Sequence, residues 1–463
     1  MRVIIENWGP IKRFEYDLTK SIIITYGENN IGKSYAMQVL YLLLKKLIQY
    51  SEAAFMPFRP TYYTEPLTGI MVDFSKHKEM DSQDITKALT AIHTDYMTEL
   101  FMSDFLDACR NTFGTFSAIL EDDPRITLLL GEHDQYIFAA AKQQIYSTLA
   151  VKKVRIKKVS SDFHKSREYK TSLDIYIYEN HVKEAIQKAE DFLIQMNQTF
   201  AKTILGLVED VYFLPASRSG IYSAISSFGP ILAELSKSRA YTNRAFHIPS
   251  LSEPISDYFM ALSNIKGEPA GRYKEFAVQI EQLILKGEVL FDPDHRSITY
   301  LPYDDTLKLE MADTSSMVSE ISPITAFFKY IIQEKDRHFS GSKDGNPKSI
   351  IFIEEPEAHL HPANQVALME LFAELSRQNI QLIMASHSNY IFNKLNNMVL
   401  SKKLNGECYG PILLKKENGR SYSHSLVCDE LGVTDENFAD IAYKLYEERE
   451  EIIQQMISDE QEE

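Results

Sequence analysis

Near the start of the chain, Gly27-Glu28-Asn29-Asn30-Ile31-Gly32-Lys33-Ser34 has the spacing GxxxxGK[ST]. Two glycines let backbone N–H groups come close to an anion, the lysine adds a long-armed cation, and the serine hydroxyl can ligate a divalent metal. Together these groups hold a nucleoside triphosphate such as ATP. Lys33 reaches the β- and γ-phosphates, Ser34 takes Mg2+, and the backbone from Gly27 to Tyr35 cradles phosphate oxygens. A second chemical segment, Ser349-Ile350-Ile351-Phe352-Ile353-Glu354-Glu355-Pro356, is an apolar run ending in two carboxylates. Buried acids without partners are costly, and Mg2+ supplies the compensation. Glu354 then holds the metal directly or through water, and Glu355 is the base that orients or deprotonates the attacking water. In a third segment, Met384-Ala385-Ser386-His387-Ser388, His387 stands just past another apolar run, within reach of the γ-phosphate or the water.

Elements of an α/β fold must bring these segments together. The apolar run Ser21 to Tyr26 reads as a buried strand entering the loop, and Tyr35 to Tyr50 reads as the helix leaving it. Ser349 to Ile353, the helix Asn364 to Gln378 and Gln381 to Ala385 give strand, helix and strand, the order of a parallel sheet with a crossover helix. Asp210 to Ala216 reads as a further buried strand, and Gly287 to Met311 as a hairpin turning at Pro293-Asp294-His295-Arg296. The expected organisation is a nucleotide-binding core over 1–50 and 209–400, a mostly helical insertion over 51–208, and a C-terminal extension over 401–463 with an acidic tail. Within the insertion, Val151 to Val159 interleaves apolar and basic residues, predicting a strand with a positive face continued by His164, Lys165, Arg167 and Lys170.

Composition narrows the function classes. The 463 residues carry a net charge of −16, which argues against coating nucleic acid by bulk electrostatics, although a local basic surface remains compatible with DNA binding. No run of 18 apolar residues and no signal-peptide pattern is present, so a cytoplasmic protein that does not use the membrane is expected. Cys109, Cys408 and Cys428 lack metal-ligand spacing and read as buried free thiols. The tail, closing with Glu447-Glu448-Arg449-Glu450-Glu451 and Asp459 to Glu463, reads as a solvated helix face or a partner-docking segment.

GENNIGKS, IIFIEEPEAHLHP and ASHS, in that order, resemble the head domain of ABC-type ATPases in the RecF, OLD and SMC group. The resemblance implies an ABC-type P-loop head with a mixed sheet, Gly27 to Ser34 as the Walker A loop, Glu354 and Glu355 as the Walker B acid and catalytic base, Pro356 to His361 as the D-loop and His387 as the switch histidine. It also implies ATP sandwiched between two copies. Two departures stand out. Glu354 replaces the usual aspartate, and the segment Asp313 to Pro323 occupies the signature position without its glycine pair, leaving Ser315, Ser316 and Ser319 to face a γ-phosphate or to form an ordinary helix cap. Arg218, in Pro215-Ala216-Ser217-Arg218-Ser219-Gly220, is expected either at phosphate or the opposing subunit, or in a surface salt bridge. Glu357, His359 and His361 lack zinc-protease spacing and read as D-loop contacts.

By the same resemblance, compact ATPases of this kind serve two-gene anti-phage systems such as Septu and PARIS, controlling a separate nuclease or toxin. A RecF-like repair ATPase that clamps DNA and a nucleotide-locked scaffold with little turnover are the alternatives.

Overall fold

The computed structural model describes residues 1–55, 63–77, 79–160, 166–178, 182–226, 251–268, 271–293, 295–333, 347–429, 432–434 and 439–462. His164, Lys165, Asp294 and Glu463 lie outside the described residues.

Apolar β-branched runs assemble an 11-stranded mixed sheet in the order Val208–Leu214, Lys348–Glu354, Ile380–Ala385, Ile22–Tyr26, Tyr409–Glu417, Arg420–Ser425, Ile11–Asp17, Arg2–Trp8, Arg125–Leu130, Asp134–Ala139 and Gln144–Thr148. The first five are mutually parallel and nearly continuous in hydrophobicity, as strands covered on both faces must be. Side-chain alternation divides them between two cores: Ile23 joins the cluster of Leu40, Leu43 and Phe352, whereas Ile22 and Ile24 join that of Phe327, Leu368 and Phe372. The fold is α/β, as expected, and the crossover helix is Pro362–Leu375.

The insertion differs from its expected character. Helices predominate, chiefly Thr86–Met97 and Lys183–Leu207, but seven strands run through 51–208 among the described residues. Three of them extend the main sheet, because Arg125–Leu130 pairs antiparallel with Arg2–Trp8 and carries a further hairpin. The other four form a small sheet whose buried face, Val154, Ile156, Ile175 and Ile177, packs on Leu89 and Leu193 of the two helices. The predicted basic strand exists as Lys153–Val159. Three of its four charges are paired, with Arg155 3.0 Å and Lys157 2.6 Å from the buried Asp174 and Lys153 on Asp84, while Lys158 donates to the His77 carbonyl; Lys152, just before the strand, pairs with Glu168.

The expected hairpin is Gly287–Asp292 against Ser297–Pro302. Of the three free cysteines, Cys109 is buried as expected, but Cys408 and Cys428 are half-buried. The acidic tail contains the helix Ala439–Glu462. Among the described residues no helix is long and apolar enough to cross a membrane.

Candidate functional site

Val208–Leu214, Lys348–Glu354, Ile380–Ala385 and Ile22–Tyr26 run in one direction, so their carboxyl ends share one rim. The segments 215–218, 355–361, 386–388 and 27–32 all leave from it, where a parallel sheet opens a crevice for ligands.

In the phosphate loop Gly27 has φ 139° and Gly32 φ 100°, and Asn30 adopts the left-handed conformation at φ 59°. A Cβ on Gly27 would stand 2.6 Å from the carbonyl oxygen of Leu414, and one on Gly32 2.8 Å from Ile11 Cδ1. Protein neighbours, as well as the turn, therefore require glycine at both places. The helix Lys33–Ala53 makes its first internal bond from Ala36 N to Gly32 O, leaving the earlier N–H groups of its first turn directed out of its N-terminus. Glu28, Asn29, Asn30 and Ser34 are exposed, Ile31 is buried, and the Tyr35 ring stacks on Phe113 at 4.9 Å.

The buried Lys33 ammonium donates to Gly27 O at 2.8 Å and Glu28 O at 2.7 Å, and lies 3.4 Å from His387 Nδ1. Burial pulls its pKa down to about 8, against the attraction of the Glu355, Glu357 and Glu28 carboxylates. Burial, and then the Lys33 charge, likewise lower the pKa of His387, so its imidazole is neutral at neutral pH.

Glu354 is buried at the end of its strand. Its Oε2 accepts from Ala216 N at 3.1 Å, its Oε1 has no partner, and the Ser34 hydroxyl lies near enough to the carboxylate to favour its charged form. Burial raises its pKa. A buried, unpartnered carboxylate oxygen beside the loop serine fits Mg2+. No cluster of three or more His, Cys, Asp or Glu residues suited to a metal occurs among the described residues, so the remaining ligands of such an ion would be phosphate and water oxygens. Glu355 is exposed, adopts φ 44°, and donates its N–H to Ala385 O at 2.9 Å. That conformation costs a non-glycine residue about 1–2 kcal/mol.

Two residues acquire positions that the sequence reading did not assign. Glu357 Oε1 accepts from Ser386 Oγ at 2.9 Å and from His387 N at 2.6 Å, fixing the backbone that carries the histidine. Its place between two recognisable motifs was the available signal. Arg218 lies neither at a phosphate nor in a surface salt bridge. It is fully buried and donates to Pro215 O, Glu354 O and Glu355 O, while pairing with the buried Glu320. No local spacing links Arg218 to Glu320.

The serine segment begins the helix Ser316–Ala326, whose Glu320 reaches this network. Ser315 Oγ caps the helix by accepting from Val318 N, the arrangement of an ordinary N-cap. Ser316 is exposed, and Ser319 is buried with its hydroxyl on Ser316 O. His361 caps the crossover helix through Nδ1, and His359 is exposed.

Solved structures similar to this chain include the SMC head bound to the C-terminal winged-helix domain of ScpA, at 10% identity and a TM-score of 0.34 over 93% of this chain and 98% of that one. The SMC head domain from Thermotoga maritima is similar at 9% identity and a TM-score of 0.33, over 92% of this chain and 98% of that one. The Pyrococcus furiosus SMC head with an extended coiled coil, bound to the C-terminal domain of ScpA, follows at 12% identity and 0.29, over 97% and 98%. No curated protein matches the chain. The family described as AAA ATPase domain matches residues 1–392, a span that holds the phosphate loop, the acid-tipped strand and His387. The chain therefore belongs to the AAA ATPase domain family.

Proposed function

We propose that this chain binds ATP with Mg2+ at Gly27 to Ser34 and hydrolyses it as an ABC-type head. The observation carrying the reading is the meeting of three separate segments at one rim, with the Ser34 hydroxyl beside the Glu354 carboxylate and Lys33 3.4 Å from His387. Mg2+ bound between Ser34 and Glu354 would draw negative charge from the phosphate oxygens. Lys33 exchanges the carbonyls of Gly27 and Glu28 for β- and γ-phosphate oxygens, and the first-turn N–H groups hold the phosphate chain. Glu355, exposed beside the Lys33 ammonium, accepts the proton of the attacking water. His387, neutral and anchored through Glu357, hydrogen-bonds the water or the γ-phosphate. Phosphate release by the purified chain, compared with Glu355→Gln, tests this reading; equal rates would overturn it.

At the level of biological role, the chain acts as the sensor and regulatory subunit of a bacterial anti-phage system, pairing with a second copy across ATP and controlling a separately encoded nuclease or toxin. The family resemblance of its motifs supports this role. The pairing of Arg155 and Lys157 with Asp174 removes support for a RecF-like DNA clamp at that strand. Phage challenge of cells carrying the chain with its neighbouring gene, with wild-type or Lys33→Ala protein, tests the role; equal survival would sink it.

A further inference from the structure

Glu355 stands in a backbone conformation that it would not keep by itself. It is not a glycine, its φ is 44°, and it precedes Pro356. A residue so placed relaxes to extended backbone unless its surroundings prevent it. Two peptide groups set its conformation, one on each side of its α-carbon. The first carries Glu354 O and the Glu355 N–H. The second offers only Glu355 O as a handle, because proline has no N–H.

Arg218 grips both groups. Its Nη1 donates to Glu354 O at 2.7 Å and its Nη2 to Glu355 O at 3.2 Å, so one planar guanidinium spans the two peptides. The backbone adds one bond to each, from Glu355 N to Ala385 O at 2.9 Å and from Ala358 N to Glu355 O at 3.1 Å. The guanidinium is itself fixed. It is 0% exposed, its Nε donates to Glu320 O at 3.1 Å, and the Glu320 carboxylate accepts from Arg218 N, Ser219 N and Ser219 Oγ. Glu320 belongs to the helix Ser316–Ala326, which is therefore the anchor of the whole arrangement.

What is held in place is a carboxylate at the rim. The exposed Glu355 side chain is the strongest attraction acting on the Lys33 ammonium, and turning its backbone to the extended region would point it elsewhere. We propose that Arg218 is a positioning residue: by gripping both peptides that flank Glu355, it holds the left-handed conformation that keeps this carboxylate beside Lys33. Its effect on turnover rests on the proposed ATPase reading, but its effect on the backbone does not.

Arg218→Lys tests this in the full chain, because lysine keeps a cation for Glu320 but puts one ammonium where the guanidinium has two arms. Amide hydrogen exchange, resolved by residue, should quicken at Glu355 and Ala358 and stay unchanged along Ile22–Tyr26. The kcat for ATP should fall about 5- to 30-fold with KM unchanged, the population that a left-handed non-glycine residue loses once unrestrained. Glu320→Gln leaves the guanidinium in place without its counter-charge and should quicken the same amides to a smaller extent. Ile175→Val, which weakens the core of the insertion far from the rim, should leave both readouts at wild-type values, separating positioning from loss of stability. Exchange at Glu355 and Ala358 unchanged in both rim variants overturns the proposal, as does quickened exchange in Arg218→Lys with a wild-type kcat, or an equal response to Ile175→Val. Quickened exchange in a chain whose wild type never turns over ATP would support the hold on the backbone and count against the ATPase reading.

Discussion

Arg218 and Glu320 form an ion pair at 3.4 Å, 0% and 2% exposed, while the same guanidinium holds the carbonyl oxygens of Glu354 and Glu355. The acid pair at the rim is thus fastened from below by a residue that touches neither phosphate nor solvent. Truncating Arg218 to Ala would leave the Glu320 carboxylate buried without its cation. The expected loss is about 3–5 kcal/mol of stability. Urea unfolding of Arg218→Ala against wild type checks it, and a change below about 1 kcal/mol would contradict this role.

For Glu355→Gln the side chain is exposed, so its removal leaves no buried defect. ATP binding should persist while hydrolysis falls by about 10² to 10⁴, the usual contribution of a general base. The trapped ATP complex should also sediment as a dimer if two copies enclose the nucleotide.

Lys33 gives a pH signature. Its pKa is lowered from 10.5 to about 8 in the free loop, and a triphosphate beside it raises the value again. Between those pH values the bound state therefore holds more protons than the free state, so binding takes up a proton and affinity falls as pH rises. Calorimetry near pH 8.5 in two buffers of different ionisation heat measures the uptake; none would place the lysine charge elsewhere.

Gly27→Ala introduces a Cβ 2.6 Å from a backbone oxygen at φ 139°. A destabilisation of about 1–3 kcal/mol is expected, together with loss of nucleotide binding, because the loop must shift to relieve the contact. Thermal unfolding with and without ATP separates the two effects.

Charge reversal of Arg155 and Lys157 strips the buried Asp174 of both partners. Both cations are about a third exposed, so the variant should lose about 1–2 kcal/mol of stability. If stability is instead unchanged and salt-dependent DNA binding disappears, the strand is a DNA contact rather than a structural ion pair.

What the sequence made legible was local. The glycine spacing, the apolar run before it and the helix after it lie within one stretch, so strand Ile22–Tyr26 and helix Lys33–Ala53 fall close to where their patterns put them. Ser349 to Ile353 and Gln381 to Ala385 were equally readable, being continuous apolar runs, whereas Tyr409–Glu417, the parallel neighbour on the other side of Ile22–Tyr26, lies in the stretch read as an extension outside the core. Non-local pairing hid the rest. Arg125–Leu130 becomes a sheet strand by meeting Arg2–Trp8, and Arg155 is neutralised because the register sets Asp174 beside it. Glu320 meets its partner Arg218 only because the fold brings a different loop across the core to it.

The order of the sheet also constrains when the loop can form. Ile22 is paired on one side with Leu382 and on the other with Tyr409, and Leu414 supplies the oxygen that closes over Gly27. During synthesis, the phosphate loop leaves the ribosome well before the segments that wall it. Such long-range closure slows folding, and until it is complete the central isoleucine strand has unpaired edges open to other chains. A nascent chain halted before Tyr409 would therefore bear the nucleotide motif without the pocket, and would need protection from aggregation while it waited.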